Sequence, residues 1–172
     1  FDIDEIAGDS YAKAFGSISY NSFDKLLNDN FTKIVYIASN HYTHTDYAIK
    51  CMERGLDVYV EKPISVNYNQ FERLKESFKS SNVKMYVGYN RPFSKAITRL
   101  KQHIGVTPFT LSCTVIGHKI EADHWYRKPE EGTRICGNLG HWIDLAIHLF
   151  AARNSPLPEA YKISISHAKD NE

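Results

Sequence analysis

Residues 34–63 read IVYIASNHYTHTDYAIKCMERGLDVYVEKP, and the order of patterns within them decides the fold. The opening run, Ile34 to Ala38, is continuously apolar and of strand length, which predicts a strand buried on both faces. A helix is expected over about 45–54, because Ala48, Ile49 and Met52 recur on one face and Gly55 supplies the stop. Val58, Tyr59 and Val60 return to strand, and Pro63 ends it. Strands alternating with helices are the signature of a parallel sheet wrapped by helices.

The alternation continues on both sides. Phe71, Leu74 and Phe78 have helical spacing within 67–79, and Val83 to Gly88 is again strand-like. Upstream, Phe1 to Ile3 read as the end of an apolar strand, Asp4 heads a helical stretch through Tyr11 to Phe15, and Asn21 is placed to cap a short helix carrying Phe23, Leu26 and Leu27. Four apolar strands separated by helices predict an α/β, doubly wound parallel sheet.

After Asn90 the pattern changes. Pro92 is placed for the first turn of a helix reaching His103, and Phe109 to Ile116 read as a longer strand. A polar stretch from Lys119 to Thr133 has the character of an ordered loop over a site. Arg134 to Phe150 carries the strongest helical pattern, with Ile135, Leu139, Ile143, Ala146, Ile147 and Phe150 as its core stripe and Gly137, His141, Asp144 and His148 on the other side. Tyr161 to Ser166 alternates like a half-exposed strand. The change of pattern divides the chain into residues 1–90 and 91–172.

Composition removes several function classes. Lys plus Arg number 21 and Asp plus Glu 20, so the net charge of +1 gives no field for a polyanion, and nucleic acid is not expected as a partner. No stretch approaches the ~20 consecutive apolar residues of a membrane span. Three cysteines, an odd number without a close pair, argue against a disulfide framework and a zinc knuckle. The expectation is a soluble protein of a reducing compartment, the cytoplasm.

Three features carry chemistry. Glu61, Lys62 and Pro63 lie at the carboxyl end of an expected parallel strand, where open α/β sheets bind their ligands, and an ammonium there stabilises a developing alkoxide. Taken alone, the triplet is as well read as a surface ion pair. Ser39, Asn40, His41 and His44 lie between a strand and a helix N-terminus, a cradle for a polar or anionic ligand. Two histidines three apart without a third ligand do not make a metal site. His141 and Asp144, three apart on a helix, place an imidazole beside a carboxylate for proton transfer near neutral pH, or equally form a solvated helix face.

Taken together in order, IASNHYTHTDYAIKCMERGLDVYVEKPIS at 37–65, MYVGYNRPFS at 85–94 and HWYRKPEEGTRICGNLGHWIDLAIHL at 124–149 resemble the Gfo/Idh/MocA family of nicotinamide-dependent oxidoreductases. The resemblance implies a Rossmann domain followed by an α+β domain with an open, largely antiparallel sheet. It also implies NAD or NADP as cofactor and a carbinol or ketone of a sugar, cyclitol or nucleotide sugar as substrate. In that pattern Lys62 is the active-site lysine, His141 the catalytic histidine and Asp144 its acidic neighbour. His44 lies near the cofactor, with Ser39, Asn40 and Glu61 beside it, and Asp2 holds the acidic position at the end of the second strand that contacts the adenosine ribose. Asn90 and Arg91 fall in a matching segment and, with Asn138, are expected on the substrate side; Trp125 either packs its aromatic face on a sugar ring there or anchors its loop in the core. A homo-oligomer is implied for the complete protein.

The chain departs from that pattern. Many relatives carry an aspartate where this chain has Gly137; a subgroup reading GGGRIIGEVCHFIDL carries a glutamate where it has Asn138. An amide orients a hydroxyl but takes no proton, which throws acid/base work onto His141 and Lys62. No G-x-G-x-x-G loop occurs in the 172 residues. The expectation is therefore a partial chain, too short to bind the cofactor or close its own sheet and inactive by itself. The alternatives are a non-catalytic sensor of dinucleotide or sugar, and a redox-assisted glycoside hydrolase. A shared crevice for Lys62 and His141 and a cis bond before Pro63 are also expected.

Overall fold

The computed structural model describes residues 1–104, 108–152, 162 and 164. Three parallel strands, β1 (Ile34–Ile37), β2 (Asp57–Val60) and β3 (Met85–Val87), form one sheet in the order β1-β2-β3. Val35 pairs with Val58, and Tyr59 with both Tyr36 and Tyr86. The crossovers are α3 (His44–Glu53) and α4 (Tyr68–Ser80), which pack on each other, with α3 also against β1 and β2. The expected parallel α/β architecture is therefore present.

Local chemistry sets the element boundaries. Asn67 caps α4 by accepting from the Gln70 amide at 2.9 Å, and Gly55 adopts φ +70° just past α3, a conformation that costs glycine little. Asp4 caps α1 (Glu5–Phe15), accepting from the Ile6 and Ala7 amides. The cap of α2 (Phe23–Leu27) is Ser22, one residue later than expected, because its hydroxyl reaches the Lys25 amide. Val35, Ile37, Ala48, Cys51, Met52, Val58, Val60, Leu74 and Leu27 close one core. Burial of Cys51 pushes its thiol up to about 12.

Several expectations are corrected. β1 is buried on one face only: Val35 and Ile37 point into the core, while Ile34 and Tyr36 are exposed. Phe1 to Ile3 form no strand; Asp2 instead caps its own turn, accepting from the Asp4 amide at 2.9 Å. Pro92 sits in a separate 3-10 turn (Arg91–Phe93), and the following helix α5 begins at Lys95 and runs to Ile104. Residues 109–116, expected as a strand, belong to no ladder among the described residues. The expected strand at 161–166 lies largely outside the described residues.

The largest correction concerns the last helix. It starts as a wide π-type turn (Ile135–Leu139) and continues as α6 (Gly140–Ala151). Its buried residues are Gly137, His141, Leu145 and Leu149. Ile135, Leu139, Ile143 and Ile147, expected in the core, are all exposed. The inward side combines Gly137 and His141 of the expected polar stripe with two leucines, and α6 packs on the Arg91–Phe93 turn that follows β3.

Candidate active site

The site is built where β1 and β2 end. Glu61 continues the ladder by donating its amide to Ile37 O at 2.8 Å, and Gly88 does the same to Val60 O at 2.8 Å. The Lys62–Pro63 peptide is cis, as expected. His44, fully buried, lies between two main-chain carbonyls: Nδ1 is 2.7 Å from Pro63 O and Nε2 is 2.9 Å from Ser39 O. Thr45 donates its hydroxyl to Ile64 O at 3.0 Å. His44 and Thr45 thus tie the turn holding Lys62 to the start of α3. Both nitrogens of His44 face the protein's own backbone rather than open space.

Lys62 reaches from that turn to the last helix. Its ammonium donates to Gly137 O at 3.1 Å, a carbonyl of the wide turn that leads into α6. One helical turn further on is His141, 8% exposed, with Nδ1 buried and unpartnered among the described residues. Burial chiefly pushes the His141 pKa down, the positive charges of Arg91 and Lys62 add to the shift, and Glu61 and Asp144 oppose it weakly. His141 is therefore a neutral imidazole at pH 7, a base ready to accept a proton. Lys62 thus bonds the carbonyl four residues before His141, and its charge is felt at the imidazole.

Around them lie groups with unspent hydrogen-bonding capacity. Asp144 Oδ1 is 3.8 Å from His148 Nε2, while Oδ2 is buried without a partner among the described residues. The Arg91 guanidinium stacks at 4.1 Å over the Trp142 ring and leaves Nε unpartnered. Tyr89 packs edge-on against His141 with ring centres 5.5 Å apart, and burial, then the Asp144 charge, raises its hydroxyl pKa.

Two glycines make this close approach possible. A Cβ on Gly137 would lie 1.9 Å from the Tyr126 hydroxyl oxygen and 3.1 Å from His41 Cε1. A Cβ on Gly140 would lie 2.6 Å from the Tyr89 hydroxyl oxygen. The space a carboxylate side chain at position 137 would need is thus filled by Tyr126.

The segment 119–133 lies over this site, anchored by Trp125 and Tyr126. Both rings meet His41 edge-on with centres 5.0 Å away. Glu131, 1% exposed, accepts from Asn40 Nδ2 at 3.0 Å and from the Tyr42 amide at 3.3 Å. Nothing in the sequence pointed to Glu131, because its partners are about 90 residues away and no local pattern records them.

Other expected site residues are not drawn in equally. Ser39 is exposed and shares a 2.6 Å hydrogen bond with the Thr43 hydroxyl. Glu61 packs its carboxylate over Gly88. Asn90 is exposed and heads the turn Arg91–Phe93. Asn138 opens onto a groove of about 690 Å³ lined by residues 115–119, Arg134, Ile135, Leu139 and Trp142, which does not include Lys62, His141 or Asp144. Asp2 ends no strand. No helix among the described residues is long and apolar enough to cross a membrane.

Residues 1–89 match the family model described as an oxidoreductase family with an NAD-binding Rossmann fold, Gfo/Idh/MocA. A myo-inositol 2-dehydrogenase from Thermotoga maritima is 29% identical over 86 residues, 50% of this chain and 26% of that protein. A glucose-6-phosphate 3-dehydrogenase from Bacillus subtilis is 25% identical over 87% of this chain and 45% of its own length. In fold, the chain resembles the WlbA dehydrogenase from Bordetella pertussis, solved with NADH and UDP-GlcNAcA. The TM-score is 0.69 over 86% of this chain and 45% of that one, at 18% identity. The chain spans between a quarter and a half of the length of these curated relatives.

Proposed function

Because the chain belongs to the Gfo/Idh/MocA oxidoreductase family, with its NAD-binding Rossmann fold, we propose that it serves hydride transfer between a nicotinamide cofactor, NAD or NADP, and a carbinol or ketone of a sugar, cyclitol or nucleotide sugar. In this reading residues 1–90 are the cofactor half and 91–172 the start of the substrate half. The relatives named as inositol and glucose-6-phosphate dehydrogenases support the substrate class. The observation that carries it is the convergence of Lys62 from a strand end and neutral His141 from α6, joined through Gly137 O.

The turns 39–44 and 61–63, at the carboxyl ends of β1 and β2, are where a dinucleotide lies on such a sheet. Asn40 and Glu61 belong to those turns, and Lys62 joins them to the start of the last helix through Gly137 O. When bound, the nicotinamide ring supplies the hydride acceptor. His141 takes the hydroxyl proton of the carbinol at a ring nitrogen, which its neutral state permits at pH 7. Lys62 donates a hydrogen bond to the same oxygen and stabilises the charge that grows there, a contribution of the order of a few kcal/mol. Asp144 stabilises the imidazolium that results, and Arg91 and Trp125 bind substrate. The three free thiols fit a reducing, cytoplasmic setting.

The test is absorbance in the reduced-nicotinamide band with a panel of sugars, cyclitols and nucleotide sugars, in the protein that carries this chain. Lys62→Ala and His141→Ala are each expected to lower turnover by roughly 10²–10⁴-fold while leaving the thermal midpoint nearly unchanged. Undiminished turnover in both variants overturns the reading. Binding of dinucleotide and sugar without any redox change favours the sensor alternative instead, which the lack of a carboxylate at Gly137 and Asn138 makes reasonable.

A further inference from the structure

Glu131 is a fully buried carboxylate with no lysine or arginine within ion-pair distance among the described residues. A charge taken out of water is expensive unless hydrogen bonds replace its hydration. Here the donors are Asn40 Nδ2 at 3.0 Å and the Tyr42 amide at 3.3 Å, both in the turn that leads from β1 into α3. The carbonyl of the same residue lies 3.2 Å from His41 Nδ1. A carbonyl only accepts, so this contact requires the proton on Nδ1. His41 is 5% exposed and mostly desolvated, which pushes its pKa down and keeps the ring neutral. With the proton on Nδ1, the lone pair of the neutral ring is on Nε2. That atom has no partner among the described residues, and it is not among the polar atoms sealed from solvent. It adjoins His41 Cε1, which lies beside Gly137, the residue whose carbonyl receives the Lys62 ammonium.

We propose that Glu131 is a positioning residue: it latches the 119–133 segment onto the 39–44 turn and sets His41 in the Nδ1–H tautomer, so that Nε2 is offered as a hydrogen-bond acceptor to a hydroxyl or amide of the bound ligand. The carboxylate holds the turn at Asn40 and Tyr42, and the carbonyl orients His41 against the Trp125 and Tyr126 rings. Three bonds from one residue thus join segments about 90 positions apart. The part of this inference that concerns a ligand rests on the dinucleotide and sugar reading above.

The experiment follows the ring nitrogens of His41 by NMR, the exchange protection of the Tyr42 amide, and NADH affinity by fluorescence titration, in the protein that carries this chain, as wild type, Glu131→Ala and Glu131→Gln. The charges facing His41 are Glu131, Lys62 and, when protonated, His44. Glu131→Ala keeps the main-chain carbonyl but frees the segment that carries it, and is therefore expected to mix the His41 tautomers, to lower Tyr42 protection roughly tenfold or more, and to weaken NADH binding. Glu131→Gln, which keeps one acceptor oxygen and the main-chain contact, retains the tautomer but moves the His41 titration to lower pH, since it removes an influence that raises it. Unchanged tautomer, titration and Tyr42 protection in both variants overturn the latch. If Glu131→Ala does not fold, the Gln variant decides by its His41 titration. If the protein that carries this chain binds no NADH, the functional reading fails, while the His41 and Tyr42 signals still decide the role of Glu131.

Discussion

At the residue scale, Gly137 shows how identity follows from neighbours that the sequence does not place. Read along the chain, it is the position where many relatives carry an acid, and its glycine is a loss. In the structure it is the point where the Tyr126 hydroxyl, His41 and the Lys62 ammonium meet. A side chain would have to displace Tyr126. Gly137→Ala is therefore expected to lower stability by ~1–3 kcal/mol, the range for overpacking. In a chain already carrying Tyr126→Ala, the same substitution costs clearly less. Additive losses in a urea-melt double-mutant cycle contradict the close approach. Lys62 and His141 were legible because each sits in a local motif. Glu131 was not, and His41 was marked only as part of its turn, because the bonds between them span about 90 residues.

At the element scale, α6 is the instructive case. Its spacing was read correctly as helical, and its apolar stripe was assigned to the core by the ordinary rule for surface helices. That rule assumes that the buried side meets an apolar neighbour. Here the inward side mixes Gly137 and His141 with Leu145 and Leu149, and the isoleucines turn outward. Leu149, 1% exposed, and Ile143, 51% exposed, separate the two assignments. Leu149→Ala is expected to cost ~2–4 kcal/mol and Ile143→Ala under ~1 kcal/mol, read from thermal or urea unfolding. The reverse order restores the stripe as core. A similar correction holds for β1, where a continuous apolar run proved to alternate in burial because Ile34 and Tyr36 lie on the open face.

At the scale of the whole molecule, buried neutral histidines tie stability to pH. His41 and His141 both have their pKa lowered in the folded chain from the ordinary 6.5, chiefly by burial. The unfolded chain therefore takes up these protons first as pH falls, so stability declines on the acid side of 6.5, down to the depressed native values. Asp29 and Glu72, whose carboxyls are held low by Tyr20 and Lys75, act in the same direction only further down, near and below the ordinary carboxylate range. The thermal midpoint should drop between about pH 7.5 and about pH 5.5, and His41→Gln and His141→Gln should each flatten that drop relative to their own value at the higher pH. A wild-type profile that is level over this range removes the linkage.

The sequence by itself determined the alternation of strand and helix over 34–87, the parallel α/β class and the family, because periodicity and motif spacing are local properties that a chain carries wherever it is folded. It also marked Lys62 and His141. Only the tertiary structure decided which side of α6 faces inward, why positions 137 and 140 are glycine, that His44 is spent on backbone carbonyls, and that Glu131 joins the two halves of the site. Those depend on which surfaces meet, and burial, tautomer and charge are properties of the meeting rather than of the residue.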